Sequence, residues 1–167
     1  MIDRSMAGGT LACVGLGANL GEARSTLETA CGELAVLPST RLERVSSWFR
    51  SAPVDADGPD YLNGVALLRT GLSPGALLDA LMGIEARHGR QRSYRNAPRP
   101  LDLDLLLYGM ARIATDRLQV PHPRLADRAF VLLPLLQVLP TLRLAGIENV
   151  AHRAHRLARE QRIELSA

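Results

Sequence analysis

The sequence predicts an α+β fold with an antiparallel central sheet. Three observations carry this. The periodic segments fall in the order β-α-β-β-α-β-(β)-α, with two strands adjacent in the middle. The strand segments alternate apolar and polar residues more than they run continuously apolar, which favours an antiparallel sheet with one face covered. The chain has 167 residues, 47% of them hydrophobic, enough for one domain with its own core. Two helices set between strands in this order make a ferredoxin-like α/β sandwich. No repeat or low-complexity linker divides it.

In chain order, residues 1–9 are expected to form a flexible extension. Thr10–Val14 reads as a short buried strand. Gly15 and Gly17 follow, and they do not complete a dinucleotide fingerprint, because Leu20 stands where a third glycine is needed. They are expected to allow a tight backbone after the strand. Ala23, Leu27, Ala30, Leu34 and Leu37 place an amphipathic helix over 22–37, ended by Pro38. A strand is expected over 41–49, a loop over 51–60 and a strand over 61–69. Ser73-Pro74 signals a helix start, with Leu77, Leu81 and Ile84 on the buried face and Gly89 as the stop. Residues 112–120 suggest one or two short strands broken at Asp116. A helix is expected over 126–136, interrupted near Pro134. Residues 151–167, with Arg153, Arg156, Arg159 and Arg162, read as a basic helical tail on the surface.

The most informative stretch is Arg99-Pro100-Leu101-Asp102-Leu103-Asp104-Leu105. Period two puts Asp102 and Asp104 on one face of a strand and Leu101, Leu103 and Leu105 on the other. Two carboxylates in a leucine-rich strand repel each other and are costly to dehydrate. A divalent cation relieves both, and Mg²⁺ suits one or two carboxylates combined with substrate phosphates. An edge strand with its acids on a wet face is the alternative. Immediately upstream, Arg90, Arg92, Arg95 and Arg99 crowd a ten-residue span with Asn96, Pro98 and Pro100, which disfavour regular structure. Guanidinium groups beside a metal-binding strand are what a metal–polyphosphate substrate needs.

Other positions stay open on their residues alone. Tyr61 and Asn63 share a strand face and could recognise a flat heterocycle, or could be a surface ring beside a turn. His122, in Pro121-His122-Pro123, could donate to a phosphate or make a structural hydrogen bond. Glu85 could approach the same face from a helix end or sit in solvent. Cys13 and Cys31 lack metal-ligand spacing and read as small buried residues of a reducing compartment.

Composition excludes several classes. There is no lysine, which rules out a phosphate-binding Walker loop and Schiff-base chemistry. Charge is uneven: residues 1–86 carry six arginines and ten acids, and residues 87–167 fourteen arginines and seven acids. A basic nucleic-acid-binding domain would use such a balance, but aromatics are only 4% and no stacking-and-basic pattern appears. The positive half suits a small anion better. No apolar run reaches the roughly 18 residues of a spanning helix, and the N-terminus lacks the apolar core of a secretion signal. The expectation is a cytoplasmic monomer acting on small molecules, with neither nucleic acid nor membrane as partner.

The chain resembles the 6-hydroxymethyl-7,8-dihydropterin pyrophosphokinases of folate biosynthesis. The matching pieces are Val14 to Gly21, Pro59-Asp60-Tyr61-Leu62-Asn63, Gly89-Arg90-Gln91-Arg92, Pro98 to Gly109, and Val120 to Arg124 with Arg128 and Phe130. They fall in the family's order, and the pyrophosphokinase domain is expected over 10–150. The resemblance implies a ferredoxin-like sandwich and a Mg²⁺-dependent transfer of pyrophosphate from ATP to the pterin hydroxymethyl group, releasing AMP. By it, Asp102 and Asp104 match the carboxylates holding two Mg²⁺ ions. Tyr61 and Phe130 match the rings enclosing the pterin, and Asn63 the side chain reading its edge, helped by backbone near Ser51 and Val54. Glu85, Arg92, Leu105, Arg117, Gln119, His122 and Arg128 fall on the nucleotide side. Arg90 and Arg99 match mobile arginines that close over the triphosphate. Ala18, Asn96 and Gln119 depart from commoner residues, and none of them is a metal ligand or stacking ring. A homologue that binds pterin or nucleotide without transfer is the competing reading, and Asp102, Asp104, Arg90 and Arg99 argue against it.

Overall fold

The computed structural model describes residues 8–19, 22–52, 58–89 and 100–166. Strand β1 (Thr10–Ala18) lies at the centre of the sheet. It pairs antiparallel with β4 (Tyr61–Thr70) on one side and β5 (Asp102–Tyr108) on the other. Beyond β4 come β2 (Thr40–Val45) and β3 (Phe49–Ser51), which pair with different halves of it, and then β8 (Glu164–Leu165) beside β3. Short β6 (Ile113–Ala114) and β7 (Gln119–Val120) form a separate pair. The expected antiparallel α+β sheet is therefore present, with β5 at its edge.

Helices α1 (Ala23–Ala35) and α2 (Pro74–Arg87) cover one face. The predicted stripes do this work: Leu27, Ala30 and Leu34 of α1 and Leu77, Leu81 and Ile84 of α2 pack on Ala12, Val14 and Leu16. Ser73 caps α2 by accepting the Ala76 N–H at 3.2 Å, as its sequence position predicts. The second face is covered too, contrary to expectation. Cys13, Val65, Leu67, Leu106 and Leu107 point there and meet α3 (Ala129–Val138) and α4 (Val150–Gln161).

Three further expectations give way to side-chain packing. The strand expected over 41–49 is split, because the chain steps off β4 at Ser46–Trp48. The Trp48 ring fills the space over Gly64, where any Cβ would collide with it. Helix α3 runs through Pro134 rather than breaking. An interior proline costs about 3 kcal/mol. Burial of Leu132, Leu135 and Val138 at about 2 kcal/mol each outweighs that. Finally, the described part of the basic segment, residues 151–166, is packed into the molecule. α4 turns Arg156 and Arg159 outward and buries Val150, Ala154 and Leu157 against the second face. Beyond it, β8 joins the sheet. Among the described residues no helix is long and apolar enough to cross a membrane.

Candidate active site

The register across the sheet builds the site. Asp102 pairs with Gly17, which pairs with Asn63. Asp104 pairs with Gly15, which pairs with Val65. Two strand spacings, roughly 10 Å, therefore separate the aspartate strand from Asn63, and only glycine lies between them. Neither glycine has a positive φ; both sit in regular strand. Their role is room on the sheet surface, not the tight turn expected of them. A Cβ on Gly17 would lie 3.2 Å from Asn63 Oδ1.

This bare patch floors a cavity of about 500 Å³, a size suited to a small organic ligand. Tyr61, Ser51 and Asn63 line one side; Phe130 and Arg128, at the start of α3, line another. Asp102 and Asp104 reach it from β5, as period two predicts. Asn63 and Ser51 are buried, and Asn63 Nδ2 donates to Ser51 Oγ at 2.7 Å. That bond orients the amide and leaves its oxygen toward the Gly17 floor.

A second cavity of about 450 Å³ lies along the edge strand β5. Leu105, Arg117 and Gln119 line it, with Leu78 of α2. The two cavities share Asp104, His122 and Pro123 as a common wall. Arg117 is paired with Asp79 of α2.

The wall is electrostatically poised. His122 Nδ1 accepts the Arg124 N–H at 3.1 Å, so the neutral ring carries its proton on Nε2. Burial, then Arg128 and Arg124, pull the imidazole below its ordinary pKa, against the opposing pull of Asp102. His122 is thus an uncharged donor at neutral pH. The Arg128 guanidinium stacks over the Phe130 ring, 5.5 Å from its centroid. Burial and Arg124 lower it, while Asp104 and Asp102 favour its charge.

The donor set fits a hard divalent cation. Two carboxylates on one strand face line the first cavity, and Asp104 borders the second as well. Among the described residues no cluster of three or more His, Cys, Asp or Glu side chains occurs. Two carboxylates with ligand oxygens and water completing the shell is how Mg²⁺ is usually held, whereas structural zinc takes four protein ligands.

A profile of the 7,8-dihydro-6-hydroxymethylpterin-pyrophosphokinase (HPPK) family matches residues 13–140. The chain belongs to that family. It is 48% identical over 132 residues to the 2-amino-4-hydroxy-6-hydroxymethyldihydropteridine pyrophosphokinase of Pseudomonas aeruginosa, covering 78% of this chain and 82% of that one. With the enzyme of that name from Haemophilus influenzae it shares 38% over 156 residues, 93% of this chain and 98% of the other. For the Synechocystis protein of that name the figures are 45% over 129 residues, 77% and 66%. Among solved structures, a Plasmodium falciparum HPPK-DHPS with SDX-DHP superposes with a TM-score of 0.69 at 13% identity. That match covers 99% of this chain and 48% of the other, so this chain spans about half its length. At that identity the likeness concerns the fold.

Within the HPPK fold the expected site residues separate into groups. Ser51, Tyr61, Asn63, Asp102, Asp104, His122, Arg128 and Phe130 line the first cavity, and Leu105, Arg117, Gln119, His122 and Asp104 the second. Glu85 lines neither. It is 2% exposed, neither solvated nor facing a cavity, and accepts the Leu103 N–H at 3.4 Å beneath β5. Arg90, Arg92, Arg99 and Val54 lie outside the described residues. The sequence reading missed Gly15 and Gly17 as the cavity floor, although their spacing of two, like that of the aspartates, puts them on one strand face. It also missed as cavity lining Arg124, which lies in the matched Val120 to Arg124 piece, and Val131, which lies in none.

Proposed function

We propose that the chain transfers pyrophosphate from ATP to 6-hydroxymethyl-7,8-dihydropterin, giving the pterin pyrophosphate and AMP. One observation carries this reading: two ligand-sized cavities meet at Asp104 and His122, with Asp102 one strand step away. Family membership supplies the substrate class. In the first cavity, Tyr61 and Phe130 would enclose the pterin ring and the Asn63 amide, already held by Ser51, would read its edge. The nucleotide would occupy the second cavity beside Leu105, Arg117 and Gln119.

The step is a displacement at the β-phosphorus. The hydroxymethyl oxygen forms the new bond, the bond from the β-phosphorus to the α–β bridging oxygen breaks, and AMP leaves with that electron pair. The hydroxyl proton passes to water. Catalysis of this kind is mostly alignment and charge neutralisation. Asp102 and Asp104 would hold Mg²⁺, which when bound lowers the pKa of the attacking hydroxyl and stabilises the leaving oxygen. His122 Nε2–H would donate to a phosphate oxygen without adding charge. Arg128, steered by the Phe130 ring, would place a fixed positive charge beside the transferred group. Arg90, Arg92 and Arg99 are proposed as further phosphate contacts, since guanidinium forks suit phosphate oxygens.

Purified protein mixed with ATP, Mg²⁺ and the pterin tests this by chromatography. AMP and pterin pyrophosphate should form in equal amounts, and a chelator should abolish both. ADP in place of AMP would overturn the reading.

A further inference from the structure

The region matched by the family profile ends at residue 140, yet the chain beyond it grips the segment that supplies Arg128 and Phe130. α3 begins without a side-chain cap of its own, because Arg128 occupies the N-cap position and accepts nothing. The cap comes from α4. Gln161 Oε1 accepts the Ala129 N–H at 2.8 Å, and its Nε2 donates to the Asp127 carbonyl at 2.8 Å. One turn-length amide thus brackets Arg128 on both sides. Arg153 adds two more bonds, from Nε to the Ala126 carbonyl at 2.6 Å and from Nη2 to Asp127 Oδ1 at 2.8 Å.

We infer that Gln161, supported by Arg153, is a positioning residue: it holds residues 126–129 so that Arg128 and Phe130 keep their places in the first cavity. Without it, the first N–H of α3 loses its acceptor, and a helix start with unsatisfied donors frays first. Phe130 is the second residue of that helix, so fraying moves the ring directly. Arg128 moves with it, since its guanidinium rests on the same ring. This inference rests on the proposed activity only for its kinetic consequence.

The test uses the full chain with Gln161→Met, which keeps length and removes both bonds, and Gln161→Glu, which keeps the acceptor for Ala129. Arg159→Gln, on the exposed side of α4, is the control. Amide hydrogen exchange at Ala129 should speed up at least about fivefold in Gln161→Met and stay unchanged in the control. The KM for the pterin should rise about five- to tenfold, with the KM for ATP within about threefold. Gln161→Glu should recover most of both effects. Unchanged exchange at Ala129 in Gln161→Met would overturn the inference, whatever the kinetics. So would a Gln161→Glu variant that behaves like Gln161→Met, or a pterin KM that does not move in an active enzyme. Wild-type protein that makes no AMP would overturn the proposed activity alone, and the exchange result would still decide the positioning role.

Discussion

The two cavities share a wall but are built in opposite ways. In the first, two polar groups are buried and bonded to each other: Asn63 and Ser51 are 7% and 5% exposed and joined at 2.7 Å. Its floor is cleared by glycines inside a regular strand. In the second, the polar lining is exposed, sits on and between two-residue strands, and is partly engaged elsewhere, since Arg117 pairs with Asp79. Recognition of a flat ring can therefore be preorganised in the sheet, where little ordering remains to be done on binding. In the proposed reaction a polyphosphate tail would meet an Arg117 that must first leave Asp79. Asp102 borders the first cavity, and Asp104 borders both.

Three substitutions can break or sharpen that contrast. Asp104→Ala should lower turnover about 100- to 1000-fold while the pterin Kd stays within about threefold, by initial rates and calorimetry. Equal losses in both would merge the two roles. Asn63→Ala should weaken pterin binding about 30-fold, because it removes the edge contact and leaves the Ser51 hydroxyl buried without its donor. ATP affinity measured in the same variant should not move, and a parallel loss would break the separation of cavities. Asp79→Asn should release Arg117 and tighten ATP binding by up to about threefold at low salt, since an exposed pair holds it with under about 1 kcal/mol. Weaker ATP binding there would mean that Asp79 aims Arg117 rather than competing for it.

The smallest effect belongs to a residue remote from both cavities. Hydrogen bonds from Arg41 and Arg69 hold the Glu43 carboxyl below the usual carboxylate range. Its contribution is present at neutral pH and is lost as pH falls through the lowered value. Glu43→Gln should cost about 0.5 kcal/mol at pH 7 by denaturant unfolding, and the difference should vanish in acid. Neither ligand affinity should change.

Strand β5 was the most legible part of the molecule, because alternation of leucine and aspartate encodes both its buried face and the face that lines the first cavity. The helices α1 and α2 were legible for the same reason, their stripes being local and periodic. What escaped depends on contacts between distant segments. The break between β2 and β3 follows from Trp48 meeting Gly64, a pair that no local pattern links. The role of Gly15 and Gly17 depends on register with Asp102, Asp104 and Asn63, three strands drawn from across the chain. The persistence of α3 through Pro134 is decided by burial on a second sheet face that alternation alone did not predict. α4 looked like a charged surface helix because its arginines and histidines outnumber Val150, Ala154 and Leu157, yet those three set its place.

The most direct test of the proposed chemistry is phosphorus NMR of the reaction of ATP and Mg²⁺ with 6-hydroxymethyl-7,8-dihydropterin. The expected spectrum shows the single resonance of AMP and two coupled resonances of a pterin diphosphate, growing together. Resonances of ADP and a pterin monophosphate would place the attack at the γ-phosphorus and contradict a displacement at the β-phosphorus beside Asp102 and Asp104.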